Sequence, residues 1–321
     1  MQMNMVSAIN NALDLILREN PDVVLLGEDI GKDGGVFRVT DGLQAKFGDG
    51  RVMDTPLAES GIIGASIGMA LAGMHPIPEI QFAGFMYLAF DQLVSHAARY
   101  RSRTRSTLKV PMVVRTPVSG GVRALEHHSE NPEALYAHVG GLIVIEPSGP
   151  YDAKGLLISA AKTQDPVIFL EPTKLYRLFK EEVPEEAYEL PIGKANIVKQ
   201  GNALTIVTYG TMLSMVKSVV EEKGTDAEII DLRTINPLDD KPIIESVKKT
   251  TKLLIVHEAQ QSFGVGAEVA ARVAEKAIYE LEAPIMRVAS PDLPYPMPGY
   301  EKYYVPTEKK IAEAIDKITS S

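Results

Sequence analysis

The chain has 321 residues, of which 45% are hydrophobic and 23% are charged. This composition is typical of a globular protein with room for about two domains. The formal net charge of −9 argues against nucleic acid as a partner. The absence of cysteine excludes disulfides, thiolate nucleophiles and iron–sulfur clusters, and it is consistent with a cytoplasmic location. The start of the chain does not resemble a signal peptide, and the apolar run 61–74 is too short to span a bilayer. We therefore expect no membrane partner.

The first half of the chain is predicted to alternate helices with short buried strands. Apolar residues recur at helical spacing over residues 5–19, and an apolar strand follows at 22–29. Gly31, Gly34 and Gly35 predict a tight loop after that strand. The next predicted elements are helix 59–73, strand 77–82, helix 87–100, strands 111–115 and 142–146, helix 151–162 and strand 166–172.

The second half shows a cleaner alternation after a segment that interrupts the pattern. Charges and prolines cluster over residues 171–200, as in a connector between domains. Strand–helix alternation beyond it favours a mostly parallel sheet covered by helices. We predict domains at 1–185 and 201–321, joined by a connector at 186–200. The elements expected in the second domain are strands 203–210, 227–232 and 253–258 and helices 211–222, 239–249 and 266–280.

Glu59 is the most informative acid in the chain. It stands directly before an uncharged run rich in glycine and alanine, within MDTPLAESGIIGASIGMA. A carboxyl group bordering such a run is expected to be partly buried, which raises its proton affinity and suits acid–base catalysis. The small residues that follow, at 61, 65, 68 and 72, form one stripe that lets another element approach closely.

Two glycine motifs in the chain lack the context that their known functions require. Residues 64–68 match the G-x-S-x-G elbow around Ser66, but that elbow needs a strand before the serine, and a helix is predicted here. The stretch 264–266 follows a strand, yet Val269 stands where a dinucleotide fingerprint needs glycine. We interpret both as close-packing features and keep a serine hydrolase as a separate, testable alternative.

One pair of histidines is a candidate for catalysis. His127 and His128 lie in a loop after a predicted strand, where a catalytic residue can be placed; the residues alone do not decide between a functional and a structural role. His257, at the end of a predicted strand beside Glu258, is weaker evidence for a site. The remaining histidines are interpreted as structural.

Nine segments, spread over nearly the whole chain, together resemble one family. The segments are GEDIG (27–31), GGVFRVT (34–40), TPLAESGIIGASIGMA (55–70), EIQFAGF (79–85), FDQLVSHAARYR (90–101), HHSENPEALYAH (127–138), PYDAKGLLISA (150–160), PVIFLEP (166–172) and LRTINPLD (232–239). They resemble the beta subunit of the thiamine diphosphate-dependent decarboxylase component of 2-oxo acid dehydrogenase complexes, of the pyruvate and branched-chain types. The resemblance implies a transketolase-like α/β fold, with a pyrimidine-binding α/β domain followed by a transketolase C-terminal α/β domain.

The same resemblance implies partners and a cofactor. The subunit would pair with an alpha subunit as an α2β2 heterotetramer, act on a 2-oxo acid and pass the acyl group to the lipoyl group of an acyltransferase core. In the family the alpha subunit carries a GDG…N motif that holds Mg²⁺ and the diphosphate of thiamine diphosphate. Here Gly48-Asp49-Gly50 has no downstream Asn before Asn131, so a simple turn is expected.

The resemblance assigns catalytic roles to Glu59 and His128, and it assigns cofactor binding to Glu28 and Glu59. Glu59 matches the glutamate that hydrogen-bonds the pyrimidine ring nitrogen and so promotes deprotonation of the thiazolium carbon. Glu28 is expected near the cofactor, where it can join a proton relay, with a loop salt bridge as the simpler role. His128 matches the histidine that helps acyl transfer to lipoamide or positions the intermediate, and His127 is the less favoured of the two.

Three further residues are expected to contact the cofactor. Leu57 and Phe85 would contact the pyrimidine, although core packing is an alternative for Phe85, and Gln81 is a weaker candidate for a polar contact. Thr163 and Asp165 stand where some members bind structural potassium through Asp and Asn, which makes a conventional potassium site doubtful.

Substrate choice is open at this level. The residues of the segments YRSRT and EIQFAGF favour branched-chain 2-oxo acids or a broad range of 2-oxo acids as substrates. Pyruvate is the other main substrate in the family. An acetoin dehydrogenase beta subunit and a non-catalytic docking subunit are the alternatives.

Overall fold

The structure, a computed structural model, describes residues 1–320. The strands are β1 (Gln2–Met3), β2 (Val23–Gly27), β3 (Val52–Asp54), β4 (His75–Glu79), β5 (Val113–Val118), β6 (Ile143–Ile145), β7 (Val167–Pro172), β8 (Glu181–Glu182), β9 (Asn196–Lys199), β10 (Leu204–Thr208), β11 (Ala227–Asp231), β12 (Thr234–Asn236), β13 (Leu253–Gln260) and β14 (Met286–Ser290). The α-helices are α1 (Met5–Glu19), α2 (Leu43–Phe47), α3 (Glu59–Leu71), α4 (Tyr100–Arg103), α5 (Glu133–Ala137), α6 (Pro150–Ala161), α7 (Met212–Lys223), α8 (Lys241–Thr250), α9 (Val265–Ala277), α10 (Glu301–Tyr304) and α11 (Glu308–Thr319). Among residues 1–320, no helix is long and apolar enough to cross a membrane.

The first helix forms where its apolar periodicity predicts. The Asn4 side chain accepts a hydrogen bond from the Ser7 amide at 2.9 Å, which satisfies one of the free donors at the helix start. Ile9, Leu13 and Leu17 of α1 are buried in a cluster shared with residues of α6. One apolar face therefore fixes α1 against the first sheet and its neighbouring helix.

Seven strands form the first sheet, in the order β12-β6-β7-β5-β4-β2-β3. All neighbouring strands run parallel except β12, which is antiparallel to β6. Because β5, β4 and β2 are parallel neighbours, their carboxyl ends meet at one edge of the sheet. In open parallel sheets that edge is where ligands bind.

The second sheet has five strands, in the order β14-β13-β10-β11-β9. Only β9 is antiparallel, and it pairs with β11, although β9 lies within the predicted connector at 186–200. The strand β12 follows that connector in sequence yet extends the first sheet. The two halves of the chain are thus joined by a strand as well as by the connector, and the proposed division at 186–200 stays a prediction.

The segment predicted as a regular helix at 87–100 is irregular in the structure. It is 3₁₀-helical over Ala83–Ala89, contains a π turn at Gln92–His96 and another 3₁₀ turn at Ala97–Arg99, and ends in α4. A π turn adds a residue to the helical repeat. Leu93, Ala97 and Ala98 are all buried in the same core cluster.

Candidate active site

The predicted site residues meet at the carboxyl edge of the first sheet. Glu28 follows β2 directly, Gln81 lies two residues after β4, and His128 lies in the loop after β5. Glu59 is the first residue of α3, and the loop before it is tied to β2, because the Thr55 amide donates to the Gly27 carbonyl at 3.0 Å. Residues far apart in sequence are brought together by the parallel order of the strands.

Glu59 is buried at this edge. Its side chain is 4% exposed, and within residues 1–320 no hydrogen bond to its carboxylate is formed. Burial raises the pKa of the nearby Glu28 carboxyl, and the charges of Glu59 and Asp29 raise it further. Two acids in mutual electrostatic contact at a strand end, one with a raised pKa, form an arrangement suited to proton transfer.

Gln81 contacts the neighbouring strand end. Its side-chain nitrogen donates to the Asp29 carboxylate at 2.9 Å, and Asp29 adopts a left-handed φ of 58° directly after Glu28. The carbonyl of Asp29 in turn accepts from the Gly35 amide at 2.7 Å. Gln81 therefore helps to fix the turn that carries Glu28, and its expected contact with a ligand stays a prediction.

His128 packs against two aromatic rings at the same edge. Its ring centroid lies 4.2 Å from that of Phe82 and 5.2 Å from that of Phe85. Its Nδ1 is buried and has no hydrogen-bond partner within the described residues, whereas His127 is exposed. This geometry favours His128 over His127. Phe82 was not predicted, although it lies in the same EIQFAGF segment as Phe85.

A glycine allows the histidine loop to approach the edge. A Cβ atom on Gly84 would lie 2.4 Å from the carbonyl oxygen of His127, closer than van der Waals contact allows. The turn at Ala83–Ala89 and the turn Glu126–His128 can therefore touch only because residue 84 is glycine.

One side of the site is open in this chain. Leu57, two residues before Glu59, is 76% exposed. Gly61, Ala65 and Gly68 are also exposed along α3, so the predicted stripe of small residues faces outward. Ser66 is buried, and its Oγ donates to the Ile62 carbonyl of the same helix at 2.8 Å, which argues against a hydrolase nucleophile elbow.

These residues fit the pyrimidine end of thiamine diphosphate. A buried carboxylate without a protein partner can bind a ring nitrogen, while the contacts of Leu57 and Phe85 with the pyrimidine stay predictions. The Gly48-Asp49-Gly50 stretch is a turn, with Gly48 at φ 86° and Asp49 exposed. Within residues 1–320 no cluster of three or more His, Asp or Glu side chains is arranged to hold a metal ion.

The turn expected to bear potassium in some relatives is closed by groups of the chain itself. The Thr163 hydroxyl lies 2.9 Å from the carbonyl oxygens of both Ala160 and Asp165. The Asp165 carboxylate forms an ion pair with Arg101. Two carbonyl oxygens and the carboxylate therefore already have partners within the chain. The absence of a conventional potassium site stays a prediction.

The sequence did not reveal a group of buried acids between the two sheets. Glu133, Glu146, Asp231 and Glu258 are each at most 5% exposed. Burial raises the pKa of Glu133 and of Asp231 to about 7 and the pKa of Glu146 well above its usual range. The Tyr209 hydroxyl donates to Glu133 at 2.7 Å. Each acid is isolated in sequence, so no local pattern indicates the group.

Each half of the chain matches the model of a known protein family. A family model described as transketolase, pyrimidine binding domain, matches residues 1–178, and one described as transketolase, C-terminal domain, matches residues 193–311. A solved structure described as split gene transketolase, inactive beta4 tetramer, aligns with a TM-score of 0.80 at 21% identity, over 100% of this chain and 99% of that one. At that identity the likeness concerns the fold alone, and the predicted transketolase-like fold is confirmed.

Full-length relatives are much more similar in sequence. The pyruvate dehydrogenase E1 component subunit beta of Acholeplasma laidlawii is 50% identical over 320 residues, which cover 99% of this chain and 98% of the relative. The protein of the same name from Staphylococcus epidermidis is 51% identical over 315 residues, 97% of each chain. The resemblance inferred from short segments therefore extends over nearly the whole length.

The buried acids predict an unusual pH dependence of stability. The folded-state pKa of Glu133 is about 7, above the pKa of a glutamate in an unfolded chain. The folded state therefore binds the proton more tightly, and the free energy of unfolding falls as the pH rises from the unfolded-state pKa to about 7. Glu133→Gln keeps an acceptor for Tyr209 but carries no charge. We expect the free energy of unfolding of the variant, relative to wild type, to increase by roughly 1–3 kcal/mol between pH 5 and pH 8. Thermal unfolding at the two pH values measures this difference.

The control for this measurement is Glu313→Gln, a change to an exposed acid of α11. Its difference from wild type should be the same at both pH values. A pH-independent difference for Glu133→Gln as well would contradict the expected cost of a buried charge.

Proposed function

The chain belongs to the family of pyruvate dehydrogenase E1 component beta subunits, and from that premise we propose that it is the beta subunit of a thiamine diphosphate-dependent decarboxylase that oxidatively decarboxylates pyruvate. The acyl group would pass to the lipoyl group of an acyltransferase. The observation that carries the proposal is Glu59, a buried carboxylate without a protein partner at the carboxyl edge of the first sheet. The relatives' names favour pyruvate over the branched-chain type that some segments suggested.

Glu59 acts on the cofactor through its carboxyl group. When bound, thiamine diphosphate supplies a thiazolium ring that serves as an electron sink for loss of carbon dioxide. The Glu59 carboxyl group, which is 4% exposed, would hold the cofactor by a hydrogen bond to the pyrimidine ring nitrogen and would keep a proton at that atom. Glu28, whose carboxyl pKa is raised by burial and by the charge of Glu59, is a second acid beside Glu59, and its part in a proton relay stays a prediction.

His128 serves the later acyl-transfer step. Its loop lies at the surface, with most residues of 121–127 exposed, so a lipoyl group can reach it from solvent. Packing of its ring on Phe82 and Phe85 orients the imidazole, and its buried Nδ1 has no hydrogen-bond partner within the described residues. The two proton-handling groups, Glu59 and His128, thus serve different steps.

A partner chain completes the site. The exposed Leu57 and the outward-facing small residues of α3 leave room for a closely approaching surface next to Glu59. We assign that place to an alpha subunit that holds Mg²⁺ and the diphosphate, in a heterotetramer of two alpha and two beta subunits. The lipoyl acyltransferase core and a cytoplasmic location belong to the same proposal.

Reconstitution with the alpha subunit tests the activity directly. We expect the pair to decarboxylate pyruvate with a higher kcat/KM than branched-chain 2-oxo acids and acetoin, and this chain alone to be inactive. The measurement is reduction of an artificial electron acceptor dye with each substrate. Preference for acetoin would instead identify an acetoin dehydrogenase subunit.

The Glu59→Gln variant distinguishes between a catalytic role of this chain and a role in docking alone. The variant keeps the side-chain volume and should assemble with the alpha subunit, but decarboxylation should fall by about 100- to 10,000-fold, because a positioned acid–base group is lost. Gel filtration measures assembly, and the dye assay measures turnover. Glu126→Gln, an exposed acid of the histidine loop, is the matched control and should retain activity. Near-normal turnover by Glu59→Gln would support the non-catalytic alternative.

The two adjacent histidines provide a matched pair of variants. His128→Ala should reduce acylation of a lipoyl domain by about 100-fold or more while leaving dye-linked decarboxylation largely intact. His127→Ala should affect neither, since its side chain is exposed and lies off the aromatic pair. Equal losses of lipoyl acylation in the two variants would show that acyl transfer depends on the conformation of the loop and not on the His128 imidazole.

A further inference from the structure

The loop that bears His128 is closed at its base by its own residues. We call residues 119–132 the His128 loop. The Ser119 amide donates to the Glu130 carbonyl at 3.1 Å, and the Ser119 hydroxyl donates to the Asn131 side chain at 2.7 Å. These two bonds join the ends of the loop but do not fix it relative to the rest of the protein.

A residue from the C-terminal half fixes that base. The Gly120 amide donates to Glu258 Oε1 at 2.6 Å, in a buried bond that spans 138 positions of sequence. Glu258 lies on β13 of the second sheet and is 5% exposed. A carboxylate that accepts a backbone N–H forms a stronger bond than a neutral acceptor. The first sheet supplies the loop, and the second sheet supplies the group that holds it.

The surroundings of Gly120 leave the backbone little freedom. A Cβ atom on Gly120 would lie 1.8 Å from the Tyr295 hydroxyl oxygen, so the second half of the chain closes over the loop at this residue. The residues on either side, Ser119 and Gly121, have left-handed φ angles of 68° and 88°. Such conformations persist in a non-glycine residue only when the surrounding structure holds them.

Two further contacts from the same half act on the loop and on the residue that follows it. The Tyr209 hydroxyl binds Glu133, the first residue after the loop, and the Arg123 amide donates to Glu301 at 3.3 Å. The tip around 121–127 is otherwise largely exposed. The position of His128 therefore depends on contacts from the second half of the chain as well as on its packing against Phe82 and Phe85 and on the Thr173 hydroxyl, which donates to the Ser119 carbonyl at 3.0 Å.

We propose that Glu258 is a positioning residue for His128: its carboxylate, through the Gly120 amide, holds the His128 loop in the orientation that acyl transfer requires. The proposal rests on the proposed function and adds a role for the C-terminal domain in one step of the reaction. Glu59 is the first residue of α3, and the loop before it is tied to β2 within the first sheet. Loss of Glu258 should therefore impair the His128 step and spare the Glu59 step.

The test compares Glu258→Ala with Glu228→Ala in the assembled heterotetramer. Glu228 is a matched control, because it is also buried, at 2% exposure, on β11 of the same sheet, and it pairs with Lys249 away from the loop. In Glu258→Ala, kcat for acylation of a free lipoyl domain should fall by about 10- to 100-fold, the scale of a small misplacement. Dye-linked decarboxylation should stay within about twofold of wild type.

Hydrogen exchange gives a readout that does not depend on activity. Amides of residues 119–132 should exchange faster in Glu258→Ala than in wild type and Glu228→Ala, measured by mass spectrometry on the assembled heterotetramer. Should Glu258→Ala fail to assemble, Glu258→Gln carries the test, because it retains an acceptor oxygen without the charge and should show a smaller loss confined to acylation.

The outcomes separate the positioning role from the proposed function. Equal losses in decarboxylation and acylation, or unchanged exchange of the loop, would overturn the positioning role. A wild-type pair without any decarboxylase activity would instead refute the proposed function, and the exchange comparison would still decide whether Glu258 holds the loop.

Discussion

The ion pairs of Arg115 set the frame on which the site is built. Its guanidinium is buried between Glu79 at 2.8 Å and Glu171 at 2.7 and 3.0 Å, so it links the central strand β5 to its neighbours on both sides, β4 and β7. Removing one member of such a buried group leaves an unpaired charge, which costs about 3–5 kcal/mol. The three strands are held in one register, and the loops that carry Gln81 and His128 start from the carboxyl ends of two of them, β4 and β5.

That fixed edge explains why Glu59 and Glu28 come together. Gly27 packs so closely on β4 that a Cβ atom there would lie 2.6 Å from the Glu79 carbonyl, and Glu28 is the next residue. The carbonyl of Gly27 also receives the Thr55 amide, which places Glu59 at the start of α3. Two acids are thus forced into one poorly solvated place, and an external hydrogen-bond donor or shared proton is the physical way to stabilise them.

Sequence patterns predicted what is local and missed what is distant. The helix at 5–19 and the buried strands are encoded by apolar spacing within a few residues, and α1 and β2 formed where expected. The π turn at Gln92–His96 and the three-residue β12, which joins a sheet from beyond the connector, depend on packing that no local pattern records. Glu258 stands beside His257 in sequence, yet its partner Gly120 lies 138 positions away.

The two proton-handling groups of the site are consequently held by different parts of the fold. Glu59 depends on β2, the Thr55 loop and the start of α3, all within the first sheet and its helices. His128 sits on a loop whose base is gripped by Glu258 of the second sheet. Glu258 itself lies on β13 of the second sheet and contacts the loop through the Gly120 amide. If Glu258 positions His128 as proposed, the C-terminal domain would influence acyl transfer and leave the Glu59 step unchanged.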